Sequence, residues 1–188
     1  MPFSQSIIDL IRKRTSVRSY VSTPIDSERQ IKLNAFMADL KPGPFGSAAR
    51  FKLVAASENS GKELRRLGTY GFIKNATGYI ISALKDEGRN LEDLGYQMEE
   101  VILYATELGL GTCWLGGTFT KSSFASKMDL GPGELIPAVT ATGIPTEERS
   151  KKEERIRSSA HADRRWLMEK LFFEDSYGNP LQDAGEFH

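Results

Sequence analysis

A chain of 188 residues, 39% apolar and 27% charged, is sized and composed for one compact globular domain. Lys plus Arg equals Asp plus Glu at 25 each, so no global field draws the protein to nucleic acid or to an acidic membrane surface, and any basic site must be local. Cys113 has no second cysteine to pair with, the N-terminus lacks the layout of a secretion signal, no apolar run reaches the ~18 residues that span a bilayer, and two histidines with one cysteine cannot build a zinc site. The expectation is a cytoplasmic protein with no membrane, nucleic-acid or metal partner.

A first helix is expected over Ser4 to Lys13, with Ile7, Ile8 and Ile11 on one face. The basic segment Arg14-Thr15-Ser16-Val17-Arg18 follows it. Ser27 with Gln30 three residues on reads as a capping box for a second helix, whose Ile31, Ala35, Phe36 and Leu40 share an apolar face before Pro42-Gly43-Pro44 ends it. Phe51 to Ala56 and Tyr79 to Leu84 have the composition of strands, and Leu67 to Gly71 between them reads as a loop. Asn90 then opens the clearest helix, in which Leu91, Leu94, Met98, Val101, Ile102, Ala105 and Leu108 recur at three- and four-residue spacing.

Gly109-Leu110-Gly111 should stop that helix, and Thr112 to Leu115 should form a short extended run ended by Gly116-Gly117. Thr120 caps a short helix through Met128, Gly131-Pro132-Gly133 turns the chain, and Ile136 to Gly143 makes a further strand. Glu147 to Arg157 reads as a charged loop, Trp166 to Phe173 as an apolar helix, and Tyr177-Gly178-Asn179-Pro180 as a turn. Helices alternating with about four strands, without repeats, give an α+β or α/β layered fold.

Two segments carry chemistry. Two guanidinium groups four residues apart, Arg14 and Arg18, with the Ser16 hydroxyl between them, can hold a phosphate through planar forks of N–H donors. Short Arg/Ser clusters are also common on solvated surfaces. Between Gly109 and Gly117, four glycines bracket an apolar strand. Without a Cβ, the main chain there can lie against a planar ligand, although a helix stop followed by a bend accounts equally well for Gly109 and Gly111.

In this order and separation, the two segments resemble those of the nitroreductase family of flavin proteins, and Ala141-Thr142-Gly143-Ile144-Pro145 resembles that family's last core strand and its exit. The likeness runs from about Ile7 to Phe173, and the Gly68-Thr69-Tyr70-Gly71 loop points to a longer subgroup. It implies a single domain, residues 1–188, of α+β class with a mixed, mainly antiparallel sheet of about four strands flanked by helices. It also implies non-covalent FMN, reduced by NADH or NADPH and reoxidised by a small-molecule electron acceptor such as a nitroaromatic or quinone, with no catalytic side chain because the flavin carries the chemistry.

Carried over residue by residue, Arg14, Thr15 and Ser16 fall on the phosphate and ribityl end, and Arg18 falls near the pyrimidine edge. Main-chain N–H groups around Leu115, Gly116 and Gly117 fall near flavin N5, while Arg155 or Arg157 adds to phosphate binding unless that charged run is simply solvated. Tyr70, Phe72 and Phe119 are candidates for an acceptor pocket, although aromatics are more often core. The family's loop of Pro, Ser and Asn followed by Gln-Pro-Trp is missing. Lys41 to Ser47 is the nearest substitute, and a comparable loop in the subgroup lies beyond His188, so truncation at the C-terminus is an expectation. The family's flavin site lies at a subunit interface, which implies a homodimer, or a monomer if the longer subgroup applies. A flavin-binding domain without efficient turnover is the alternative reading.

Overall fold

The computed structural model describes residues 3–56, 64, 69–164 and 166–182. The chain divides into two compact units, Met1–Arg149 and Ser150–His188. The first unit is built on an antiparallel sheet of β1 (Arg50–Ala55), β2 (Gly78–Lys85), β3 (Gly111–Leu115), β4 (Glu134–Leu135) and β5 (Val139–Gly143). Its order is β1-β2-β5-β3, with β4 paired to the far end of β2. Every pairing is antiparallel, with Leu53 opposite Ile80, Tyr79 opposite Ala141 and Thr112 opposite Thr142. The fold is therefore α+β. Among the described residues there are five strands instead of about four because Glu134–Leu135, ahead of the expected stretch, pairs with β2. The stretch expected as one strand from Ile136 to Gly143 is strand only from Val139, and Pro137 has no N–H to give to a ladder.

The central strand β2 is buried from Gly78 to Leu84. Ile80 joins Ile25, Leu33, Met98, Val101 and Ile102 on the side of α2 (Ser27–Ala38) and α3 (Asn90–Glu107). Tyr79, Ile81 and Ala83 join Phe119, Phe124 and Met128 on the opposite side, with α4 (Lys121–Met128). Alternate residues of a strand face opposite sides, so a sheet covered on both faces needs the nearly continuous apolar run that β2 has, in which the buried Ser82 donates its hydroxyl to the Ala138 carbonyl.

The helix α1 (Ile7–Lys13) starts later than expected. Ser4 through its N–H and hydroxyl, and Gln5 through its N–H, all donate to Glu107 Oε1 at 2.7–2.8 Å. Burial opposes the charge on Glu107, but these donors outweigh it and hold the carboxyl below its usual range. Phe3 packs on Phe36 and Tyr104, whose rings stack at 4.2 Å. With the chain pinned this way, α1 buries Leu10, and the face carrying Ile7, Ile8 and Ile11 is exposed. In α2 the cap is Asp26, which accepts from the Arg29 N–H at 3.0 Å, and not Ser27. Gln30 reaches back to the Ile25 carbonyl, and Leu33 and Met37 form the buried face while Ile31 is exposed.

The stripe of α3 from Leu94 to Ala105 is buried as its spacing requires, and only Leu91, at its first turn, is exposed. Gly109, at φ +76°, takes the left-handed turn that stops it. The helix α4 begins after Thr120 as expected. Of the predicted loop at 67–71, Leu67 and Gly68 lie outside the described residues.

In the second unit the charged stretch expected as a loop forms α5 (Lys151–Ser159). The Ser150 hydroxyl accepts from the Glu153 N–H, with Glu153 and Glu154 in the first turn and Arg157 in the last. Capping and dipole pairing support a helix that has almost no apolar period to announce it. Conversely, the apolar helix expected over Trp166 to Phe173 amounts to one 3-10 turn, Met168–Lys170, with Trp166, Leu167, Leu171 and Phe172 exposed. A helix of eight residues that buries no face is marginal. The turn at Tyr177 to Pro180 is present, and it sets Phe173 opposite Pro180.

Candidate functional site

The basic segment leaves α1 at Arg14, whose N–H closes the helix on the Leu10 carbonyl at 2.8 Å before the backbone becomes extended. It then lies along the outer side of β3. Ser16 bridges Thr112, and the Val17 N–H donates to the Thr112 carbonyl at 2.8 Å. From the other side, the Lys74 N–H donates to the Arg18 carbonyl at 2.8 Å, and the Tyr20 N–H to the Lys74 carbonyl at 3.0 Å. The buried Tyr20 hydroxyl fixes the bend by bonding the carbonyls of Val17 and Ala141. An exposed sheet edge is thus covered, and Arg14, Thr15, Ser16 and Arg18 are all half-buried.

The glycines of the second segment divide into two kinds. A Cβ on Gly111 would stand 2.9–3.0 Å from three carbons of Val17, so this glycine exists to let the basic segment close on β3. Gly116 and Gly117 are exposed, and a Cβ on either would have nothing within 4 Å. Their main chain faces open space at the end of a strand whose side chains Thr112, Cys113 and Leu115 are buried. Thr112 and Gly116 are four residues apart, roughly 13 Å along extended chain.

Glu99 of α3, which sequence reasoning missed, touches both segments. Its Oε1 lies 3.3 Å from Arg14 Nε, and its Oε2 accepts from Trp114 Nε1 at 3.0 Å. Position 99 lies outside the apolar stripe of α3, and nothing in its local sequence names partners 85 residues upstream and 15 downstream. Lys74 was missed for the same reason, since its contribution is main-chain.

Of the aromatic candidates, Phe119 is buried and packs edge-on against Phe124, which removes it from any pocket. Tyr70 and Phe72 are exposed on the loop that Lys74 ties to the basic segment, and Tyr70 has φ +48°. Beneath it, burial pushes the Tyr79 hydroxyl to about 12 despite a hydrogen bond with Thr69, so Tyr79 stays neutral at ordinary pH. The Lys41 to Ser47 loop has its polar groups engaged elsewhere. Asp93 accepts from the N–H groups of Phe45 and Ser47 and from the Ser47 hydroxyl, and Gln97 bonds the Ala49 N–H and the Lys41 carbonyl. Arg155 and Arg157 belong to the second unit, on α5. Arg155 is exposed, and Arg157 is ion-paired with Asp163.

Among the described residues no group of three or more His, Cys, Asp or Glu is placed to hold a metal ion, and no helix is long and apolar enough to cross a membrane.

The family model described as "Putative TM nitroreductase" matches residues 6–171. Solved structures share the fold. A nitroreductase family protein of Clostridium difficile is 16% identical with a TM-score of 0.66, over 92% of this chain and 99% of that one. An oxidoreductase containing FMN is 19% identical with a TM-score of 0.68, over 94% and 96%. A nitroreductase of Bacteroides fragilis with bound FMN is 16% identical with a TM-score of 0.62, over 78% and 92%. No curated protein sequence matches. With the family model covering most of its length and the basic segment closed on the glycine-bounded strand, this chain belongs to the nitroreductase family.

Proposed function

We propose that this chain is an FMN-dependent oxidoreductase that draws on NADH or NADPH and reduces a small acceptor such as a nitroaromatic or quinone. The observation that carries this reading is the hydrogen bond of Val17 to Thr112, 2.8 Å long, which places the cationic segment on the strand that ends in bare main chain. The donor set fits a phosphorylated planar cofactor. Arg14 with the hydroxyls of Thr15 and Ser16 offers charged and neutral donors to a phosphate. The open main chain at Gly116 and Gly117 admits close approach of a flat ring. FMN, when bound, supplies the ring that accepts and passes on hydride. Arg18 holds a positive charge that favours the more negatively charged form of the cofactor, and the protein needs no nucleophile.

The experiment is direct. The purified chain should carry or take up a yellow chromophore and oxidise NADH or NADPH when a quinone or nitroaromatic is added. Arg14→Ala should loosen FMN by about 1.5–3 kcal/mol, the worth of one hydrogen bond to a charged group. A protein that takes up no FMN overturns the reading. A second reading, a flavin-binding domain with little turnover, is favoured by one observation: the polar groups of the Lys41 to Ser47 loop are bound to Asp93 and Gln97. Bound FMN that neither nicotinamide reduces would decide for it.

A further inference from the structure

Glu99 sits between the two segments that the proposed function requires, and its two oxygens are used differently. We propose that Glu99 is a positioning residue that aims the Arg14 guanidinium at a phosphate monoester and ties that grip to β3. The inference rests on the flavin reading and deepens it.

A guanidinium has five N–H donors in one rigid plane. Glu99 engages Arg14 at Nε, 3.3 Å away. Among the described residues it is the partner that the Arg14 side chain has, so the two terminal nitrogens remain to meet a dianion. A carboxylate next to a phosphate site would be harmful if it could swing towards the ligand. Glu99 is restrained by the Trp114 indole, whose Nε1 donates to the second oxygen at 3.0 Å. Trp114 belongs to β3, one residue before Leu115 and two before Gly116, and it is half-buried against the α2 and α3 side of the core. The Arg14 to Glu99 to Trp114 chain therefore links the phosphate end of the site to the strand that carries its open main chain. The side chains of Arg14 and Glu99 are 28% and 40% exposed, enough for a ligand to reach them.

Glu99 holds Arg14 Nε by charge and accepts one hydrogen bond from Trp114 Nε1. Glu99→Gln keeps size and shape and can still accept from the indole, but it loses the charge that holds the guanidinium. The test compares FMN with riboflavin, which has the same ring and no phosphate, by quenching of flavin fluorescence. Glu99→Gln should weaken FMN about tenfold and leave riboflavin unchanged, so the ratio of the two affinities falls by that factor. Trp114→Phe removes the restraint and keeps the ion pair, and it should give a smaller loss that is again confined to FMN. Thermal melting of each variant checks that the fold is intact. An equal loss for both ligands, no change, or tighter FMN in Glu99→Gln overturns the assignment. If the parent takes up neither flavin, the proposed function falls and this inference falls with it.

Discussion

Three polar side chains of α3 do two kinds of work, and the nearest of the contrasted pairs, Gln97 and Glu99, stand two residues and so roughly 200° apart around the helix. Asp93 and Gln97 lie almost wholly out of water, and both hold the Lys41 to Ala49 loop through main-chain groups at 2.7–2.9 Å. Gly43 is part of that closure, since a Cβ there would stand 2.3 Å from the Asp93 carboxylate. Glu99 is half-exposed and bonded to side chains only, and it holds a cation next to open main chain. Complete burial with every hydrogen bond satisfied marks a structural staple. Partial exposure with donors left over marks a place for a ligand.

The staple can be broken first, and the effect should be the largest. Gln97→Leu leaves the Ala49 N–H and the Lys41 carbonyl without their partner. At about 1–3 kcal/mol for each buried group so orphaned, less what water recovers at the loop, the loss should be about 2–4 kcal/mol in urea unfolding. FMN affinity of the folded fraction should be unchanged. Loss of flavin binding with stability intact would instead put the Lys41 to Ala49 loop in the site.

A closer cut concerns Gly111, where structure and site share one residue. Its Cβ would press on Cβ, Cγ1 and Cγ2 of Val17, a β-branched side chain with no rotamer that clears all three. Gly111→Ala should cost about 1–3 kcal/mol as overpacking and should also loosen FMN by moving the basic segment off Thr112. If stability falls and affinity does not, the segment does not hold the cofactor.

The effect of acid is narrower. Two hydrogen bonds from Arg50 and one from the Gly131 N–H hold Glu134 down at about 2. Its folded value lies below the ordinary 4.5, so the stability it contributes is complete above 4.5 and is lost as pH falls from there towards 2. Asp93 is shifted in the same direction. Burial opposes its charge, and the donors of Phe45 and Ser47 outweigh it. Denaturant titrations between pH 2 and 5 should show stability dropping with acid, less steeply in Glu134→Gln. An equal slope in that variant would remove the Arg50 pair from the account.

The same contrast explains what was legible in the sequence. The α3 stripe, the stop at Gly109 and the buried β2 run are written in local apolar spacing, which burial on a layered core enforces. The resemblance puts the Arg14 to Arg18 segment and the strand after Gly109 at one ligand, and in the structure the two segments meet at Thr112. The α5 helix was missed because capping at Ser150 and end charges, not apolar period, support it. The spacing of Ile7, Ile8 and Ile11 puts them on one helical face but does not say which face is buried, and with Phe3 and Glu107 docking the chain ahead of the helix it is Leu10 that turns inward. Asp93, Gln97 and Glu99 were invisible because each acts across the fold, on partners that no local pattern identifies.

The smallest expected change in stability is the one that isolates the ligand. Gly117 is exposed, its φ lies outside the left-handed region, and a Cβ there would meet no protein atom. Gly117→Ala should therefore alter stability by less than about 1 kcal/mol, in the stabilising direction if the unfolded chain loses freedom. A ring lying against that main chain would meet the new methyl directly. FMN and riboflavin should weaken together, because the obstruction is at the ring and not at the phosphate, which is the reverse of the pattern expected for Glu99→Gln. Measured side by side, the two variants separate the ends of the site. If Gly117→Ala binds both flavins as the parent does, the ring lies elsewhere and the open main chain at the end of β3 has no part in holding it.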